Sequence, residues 1–225
     1  MSASGGVSRA HDPSLGPKLG FALLHGAIAA ACLWLAFGGP AWPDPLRARV
    51  LADCAVLYCL RHLVTLLVLL QRLVERSEAL GLSLFFGLFE IGFLLLGAGL
   101  FTDAAVPFGL ADWIGIALVL LGSALNTGSE LQRRAWKQLP GSKGRCYTRG
   151  LFAYAMHINY SGDMVLFTGW AILAASLFAF AIPLLMTVMF VFVHIPPLDA
   201  YLASRYGAEF EAYAARTAKL VPFLY

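Results

Sequence analysis

Charge is scarce in this chain. Only 13% of its 225 residues are Asp, Glu, Lys or Arg, about half the share of a water-soluble domain, against 60% hydrophobic residues and a mean hydropathy of +0.74. Such a composition excludes water-soluble packing. Cysteine is sparse too: Cys32, Cys54 and Cys59 fall in apolar stretches and Cys146 in a basic one, and their spacing sets up neither a disulfide framework nor a zinc site. The histidines at 11, 25, 62, 157 and 194 stand singly, where a membrane di-metal oxygenase needs clustered ligands, so no metal is assigned. Neither G-x-G-x-x-G nor G-x-x-x-x-G-K-[ST] occurs, and G-x-S-x-G is missing, which removes Rossmann-type nucleotide binding and serine hydrolase chemistry. No nucleic-acid module is visible, and internal repeats and low-complexity tracts are absent.

What the chain has is long apolar runs. A hydrocarbon core of roughly 30 Å takes about 20 mostly apolar residues in a helix, which satisfies every backbone group within its own segment. The runs predict helices over Leu19–Phe37, Val50–Leu70, Leu80–Phe101 and Phe108–Leu125. From Tyr160 to Ile195 the apolar stretch is too long for one crossing, and Ala174, Ala175 and Ser176 offer a tight hairpin turn. Pro196 and Pro197 are expected to interrupt the helix there, with Leu198–Arg216 continuing at helical spacing as a tail against the membrane face. The expected architecture is an all-α polytopic membrane protein of about six embedded helices, ending in a helical hairpin and an amphipathic tail. Residues 1–225 read as a single integral membrane domain whose polar start, 1–18, carries no short apolar core of a cleavable signal peptide.

Basic residues mark the cytoplasmic side of short loops. With both termini inside, 13 of the 16 Lys and Arg, Arg9 among them, lie on the inner side, Arg47 and Arg49 lie outside, and Arg61 sits within a helix. The net charge of +3 is then a property of loops facing lipid head groups and any phosphorylated ligand.

On the second helix Tyr58, Arg61, His62 and Thr65 fall at i, i+3, i+4 and i+7, along one face. An intramembrane Arg is unfavourable by about 2.5–3.5 kcal/mol on insertion scales and calls for a partner or a wet cavity. Glu90, mid-way along the third helix, is the partner the sequence offers. Two readings are open. Arg61 and Glu90 form a structural ion pair beside a packing Tyr58, or Tyr58, Arg61 and Glu90 surround a substrate cavity in which Tyr58 donates to a carbonyl. Asp53, nearer the outer end, reads as an interfacial charge.

The longest inter-helix segment runs from Asn126 to Gly150. Asn126, Glu130, Arg133, Arg134 and Lys137 are spaced to continue the fourth helix amphipathically until Pro140 and Gly141 break it. Lys143–Asp163 then collects cations, tyrosines and an amide: Arg forks match phosphate, Asn pairs with a carboxamide edge, and tyrosine faces stack on rings. That describes a site for a phosphorylated, ring-containing cofactor, or else a positive-inside loop with an interfacial tyrosine belt.

Gly150-Leu151-Phe152, Tyr154 and Asn159-Tyr160-Ser161-Gly162-Asp163 resemble the C-terminal signature of membrane steroid 5α-reductases and their bacterial relatives, and Leu220-Val221-Pro222-Phe223-Leu224-Tyr225 is similar to that family's ending. The resemblance covers about Asn126 to Tyr225, with Tyr58 and Arg61 matching a tyrosine and arginine pair before it. It implies NADPH as cofactor. Asn159 would take the nicotinamide carboxamide, Arg145 and Lys137 the phosphates, and Asn126, Glu130, Tyr160, Asp163 and Tyr201 would complete the pocket, making 126–225 the cofactor half and 19–125 the substrate-cavity helices. Hydride would pass to a carbon-carbon double bond conjugated to a carbonyl in a lipid-like steroid or enoyl substrate, with Tyr58 hydrogen-bonding the carbonyl. The reductases carry a glutamate on an early helix as the tyrosine's partner; residues 1–57 here contain none, so Glu90 or Asp44 takes that place. The bacterial relatives point to a bacterial inner membrane.

Met156-His157-Ile158-Asn159-Tyr160 also resembles the Arg-His-Pro-x-Tyr signature of isoprenylcysteine and phospholipid methyltransferases, which implies S-adenosylmethionine instead; Asp199 stands where those enzymes carry paired glutamates. A non-enzymatic membrane scaffold, its polar groups paired only structurally, is the third expectation. Membrane lipids are the expected surroundings in every case, and no oligomeric state is assigned.

Overall fold

The computed structural model describes residues 14–101 and 106–224; Arg9, His11, Tyr225 and the first part of the polar start lie outside the described residues. Helices account for the architecture: α1 (Leu15–Phe37), α2 (Pro45–Val64), α3 (Arg76–Gly97), α4 (Leu110–Lys137), α5 (Ile158–Leu173), α6 (Ala181–Met189), α7 (Ile195–Tyr206) and α8 (Ala208–Ala214). Five helical stretches are long and apolar enough to cross a membrane: Leu15–Phe37, Pro45–Leu69, Arg76–Gly97, Leu110–Lys137 and Leu177–Tyr206. The chain is a multi-pass, all-α membrane protein, its outward leucines and phenylalanines suited to lipid. The fifth expected helix, α5, has 16 residues and is shorter than a full crossing, in line with the two shorter helices expected over 160–195.

Local chemistry sets the boundaries. Asp44 caps α2 by accepting from the Arg47 N–H at 3.0 Å, and Pro45 enters at the first turn, where its missing N–H is harmless. The turn after α5 falls on Ala174, Ala175 and Ser176, as their small size predicted, with Ala175 at φ +49°. Pro196 and Pro197 do not interrupt the helix; they sit at the first turn of α7, directly after a π-helical turn, Phe190–His194, that widens the chain ahead of them. A second π turn, Thr65–Leu69, ends the α2 span. Gly207, at φ +52°, separates α7 from α8.

The chain divides into two compact units: residues 8–119 with 167–183, and residues 120–166 with 184–225. Residues 167–183, grouped with the C-terminal half on sequence, cluster with the first.

In the first unit α1 packs on α2 and α3, and α2 on α3. Phe89, Phe93, Phe167 and Trp170 form a buried aromatic core. Arg47, expected outside the membrane as a loop cation, is 1% exposed. Its guanidinium pairs with Asp112 and with Asp44 (3.0 Å) and donates to the carbonyls of Leu173 (2.9 Å) and Val106 (3.1 Å). With two carboxylates around it, the residue is a neutralised structural lock and not a free topogenic charge. Gly97 and Gly169 allow close approach here: a Cβ on Gly97 would meet Arg47 Cδ and Ala174 Cα at 3.2 Å, and one on Gly169 the Gly115 carbonyl at 2.6 Å.

In the second unit a Cβ on Gly162 would lie 2.5 Å from the Asn126 backbone nitrogen and 2.8 Å from the Gly122 carbonyl, so α4 and α5 meet backbone to backbone there. The C-terminal segment is strapped to the start of α5. Met156 N–H donates to Ala218 O (2.8 Å), His157 N–H to Lys219 O (3.0 Å), and the Ser161 hydroxyl to Leu220 O. Leu220, 1% exposed, packs with Phe190 and Ile195, which gives the Leu220-Val221-Pro222 ending its structural role.

Candidate functional site

The polar face expected on the second helix exists, with Tyr58 and Arg61 buried and His62 and Thr65 half-buried, Thr65 opening the π turn after α2. Tyr58 (4% exposed) and Arg61 (7%) stand together, the guanidinium carbon 4.7 Å from the Tyr58 ring centroid. His62 packs its ring on Tyr58 at 4.3 Å and bonds the Tyr58 carbonyl at 3.0 Å, and Thr65 donates to the Arg61 carbonyl at 3.1 Å. Glu90 is fully buried, but the partner on its carboxylate is His25 of α1, whose Nε2 lies 2.6 Å from Glu90 Oε1. Sequence reasoning passed over His25. Its signal was there, since Phe21 and His25 fall one turn apart and both rings reach Phe86, at 5.6 and 5.1 Å. Asp53 is exposed on α2, in keeping with an interfacial charge.

In the second unit Asn126, Glu130, Asn159 and Asp163, scattered over 38 positions, form one hydrogen-bonded network. Asn126 Nδ2 donates to the Asn159 carbonyl and to Asp163 Oδ2, both at 3.0 Å, and Asn159 Nδ2 donates to Glu130 Oε1 at 3.1 Å. The other Glu130 oxygen pairs with Arg133, whose guanidinium lies over Phe152 at 5.4 Å. The glycine crossing of α4 and α5 brings the two asparagines within reach.

The remaining expected residues lie differently. Tyr160 is stacked 4.4 Å from Phe190, nearly parallel, and 5.6 Å from His157, so its ring is part of the packing. Tyr201 accepts from Arg205 through its hydroxyl at 2.9 Å. Lys137 stands at the last turn of α4. Arg145 is 64% exposed and held by Glu209, whose two oxygens take Arg145 Nε (3.0 Å) and the Cys146 N–H (3.2 Å). Arg145, Cys146 and Glu209 line a cleft of about 200 Å³ together with Trp136, Ser142, Tyr147 and Arg149; Lys137, Tyr160 and Tyr201 are not among its lining residues.

The model of the family described as "Protein of unknown function (DUF1295)" matches residues 69–217, about two thirds of the chain. The chain belongs to the DUF1295 family. No curated protein matches it. The DUF1295 match takes in Glu90, both asparagines and the Arg145 cleft, whereas Tyr58, Arg61 and His25 precede it.

Two further contacts went unread. His157 Nε2 lies 2.8 Å from Asp199, which Lys219 also approaches at 3.4 Å. Tyr213, buried, donates its hydroxyl to the Phe152 carbonyl at 2.5 Å, and burial pushes its phenol well above the ordinary value. Cys146 is shifted the same way: burial, then the Glu209 carboxylate, raise its thiol, while Arg133 and Lys137 pull it back. Thiolate is the reacting form. Native Cys146 should therefore alkylate slowly at pH 8, and Glu209→Gln should accelerate it several-fold, as read by peptide mass spectrometry; an unchanged rate would dismiss Glu209 as the cause. Because the folded thiol is raised, its stabilising contribution is full below the ordinary thiol pKa of 9.0 and is lost as pH climbs through the folded value.

Proposed function

We propose that this chain is an NADPH-dependent membrane reductase of a carbon-carbon double bond conjugated to a carbonyl in a lipid-like steroid or enoyl substrate, with both termini cytoplasmic in a bacterial inner membrane. The observation that carries the proposal is the network of Asn126, Glu130, Asn159 and Asp163, the residues the 5α-reductase-like resemblance assigns to cofactor binding. The donor set fits a carboxamide. The bond to Glu130 uses one of the two amide N–H groups of Asn159, and the other, with Oδ1, forms the donor and acceptor pair that a nicotinamide edge needs. Bound NADPH would supply the hydride. The chain's own part is electrostatic: the Tyr58 hydroxyl donates to the substrate carbonyl as negative charge develops there, and the Arg61 cation against the Tyr58 ring strengthens that donor.

The His157–Asp199 pair favours a second reading, S-adenosylmethionine-dependent methyl transfer to a lipid or prenylated thiol, because it orients the imidazole that the methyltransferase-like signature contributes.

A ligand-induced thermal shift separates the readings, since a ligand at 100 times its Kd stabilises by about 2.7 kcal/mol. NADPH should raise the Tm of the purified chain in detergent, and Asn159→Ala should weaken that binding about tenfold, the equivalent of one good hydrogen bond. Stabilisation by S-adenosylhomocysteine alone would select methyl transfer. Indifference to both, with Tyr58→Phe silent, would select the scaffold.

A further inference from the structure

His25 and Glu90 are drawn together from α1 and α3 into the most secluded polar contact of the first unit, at 2.6 Å with exposures of 1% and 0%. Four rings enclose His25: Phe21 at 5.6 Å, Tyr58 at 5.7 Å, His62 at 5.2 Å and Phe86 at 5.1 Å. A pair kept for stability alone has every reason to close its remaining valences, because buried polar atoms without partners are unfavourable. This one is open at both ends: His25 Nδ1 and Glu90 Oε2 meet no hydrogen-bond partner among the described residues. So apolar a setting favours a net-neutral pair, in which one proton is shared between carboxylate and imidazole. Nδ1, the imidazole, Nε2, Oε1 and Oε2 then form a short relay able to take a proton at one end and release it at the other.

We propose that His25 and Glu90 are a proton-delivering pair, Glu90 giving its proton to the substrate and His25 acting through Glu90 as a positioning and reloading residue. The proposal rests on the reductase reading, whose reaction needs one proton for each hydride. In the balanced step the Glu90 O–H bond breaks and a C–H bond forms at the carbon next to the substrate carbonyl. The carboxylate left behind accepts from His25 Nε2–H, and a proton from water enters at Nδ1. Both electrons come with the hydride of NADPH. Other ionisable groups facing the pair are Tyr58 and His62 from α2, together with the Cys32 thiol of α1 and the Cys59 thiol of α2.

The decisive measurement is made on the full chain in detergent, labelled with ¹⁵N-histidine, with the His25 signals assigned by their loss in His25→Gln. On transfer to D₂O the His25 nitrogens should show the deuteron isotope shift within minutes, and Glu90→Gln should move those signals. Retention of the original proton for a day would overturn the proposal, whether or not NADPH binds. The activity arm asks for a specific pattern: His25→Gln lowers kcat at least tenfold while KM and the NADPH-induced thermal shift hold, and imidazole restores part of the turnover of His25→Gly. Parallel loss of folding yield and activity without imidazole rescue would make the pair structural. Failure of NADPH to bind would remove the reductase reading and with it the acceptor of the Glu90 proton, whereas failure of proton exchange at His25, read without turnover, would remove the relay and leave the reductase reading standing.

Discussion

Arg47→Met is expected to be the most destabilising single substitution in the first unit. The guanidinium is 1% exposed and pairs with the carboxylates of Asp44 and Asp112 while donating to two backbone carbonyls. Methionine keeps the length of the side chain and removes the cation, which leaves the carboxylates of Asp44 and Asp112 with only the backbone N–H groups of residue 47 and Gly109 as donors and no positive charge between them. Breaking a buried ion pair from one side is typically worth about 3–5 kcal/mol, a large share of the roughly 5–15 kcal/mol that holds a domain folded. Thermal unfolding in detergent should show a large fall in Tm, or no folded protein at all. Arg49→Met is the matched control: Arg49 is exposed, its guanidinium 5.4 Å from the Phe37 ring, and the change should be close to neutral. Adding Asp112→Asn to Arg47→Met should recover part of the loss by removing one orphaned charge. Equal Tm values for the two arginine variants would show that the lock contributes nothing.

On the reductase proposal, Gly162→Ala should separate NADPH binding from membrane insertion. The added methyl would sit 2.5 Å from the Asn126 nitrogen and 2.8 Å from the Gly122 carbonyl, and both are backbone atoms that cannot rotate aside. α4 and α5 must then part, at about 1–3 kcal/mol for overpacking, and Asn126 moves away from the Asn159 carbonyl and the Asp163 carboxylate that it holds at 3.0 Å. NADPH binding should be lost more completely than in Asn159→Ala, because the scaffold of the whole network shifts. Gly128→Ala makes the same chemical change on α4 where nothing lies within 4 Å; it should retain binding and gain about 0.5–1 kcal/mol from better helix propensity. Similar NADPH affinities in the two variants would detach the cofactor site from the crossing.

The spans were legible because apolar length is the dominant requirement of a membrane helix: α1 ends on its expected Phe37, and α4 takes in both the span expected to Leu125 and the amphipathic continuation expected beyond it, to Lys137. The 5α-reductase-like resemblance singled out Asn126, Glu130, Asn159 and Asp163 without saying how they meet, and the structure joins them in one hydrogen-bonded network beside the glycine crossing. Charge pairing was harder to read. Arg61 and Glu90 were matched on sequence as opposite charges at similar depth, yet the Glu90 carboxylate meets a histidine 65 positions away, a choice made by tertiary packing of α1 on α3. Arg47 was read as a loop cation because helix ends are judged by position, and nothing local to it announces Asp112. The π turns were invisible for a related reason: no residue type marks them as proline marks a kink.

The π turn Phe190–His194 amounts to one extra residue accommodated within a continuous helix. A helix rotates by about 100° per residue, so drawing all five residues of this stretch into ordinary pitch, with none removed, would swing everything after it by roughly that angle. Asp199 would then leave the side facing His157, and Ile195 the side facing Leu220. The phase of α7, and with it the anchoring of Leu220, is thus set by the pitch of a turn several residues upstream, so a change that tightens 190–194 with every residue kept carries more weight than most substitutions within α7.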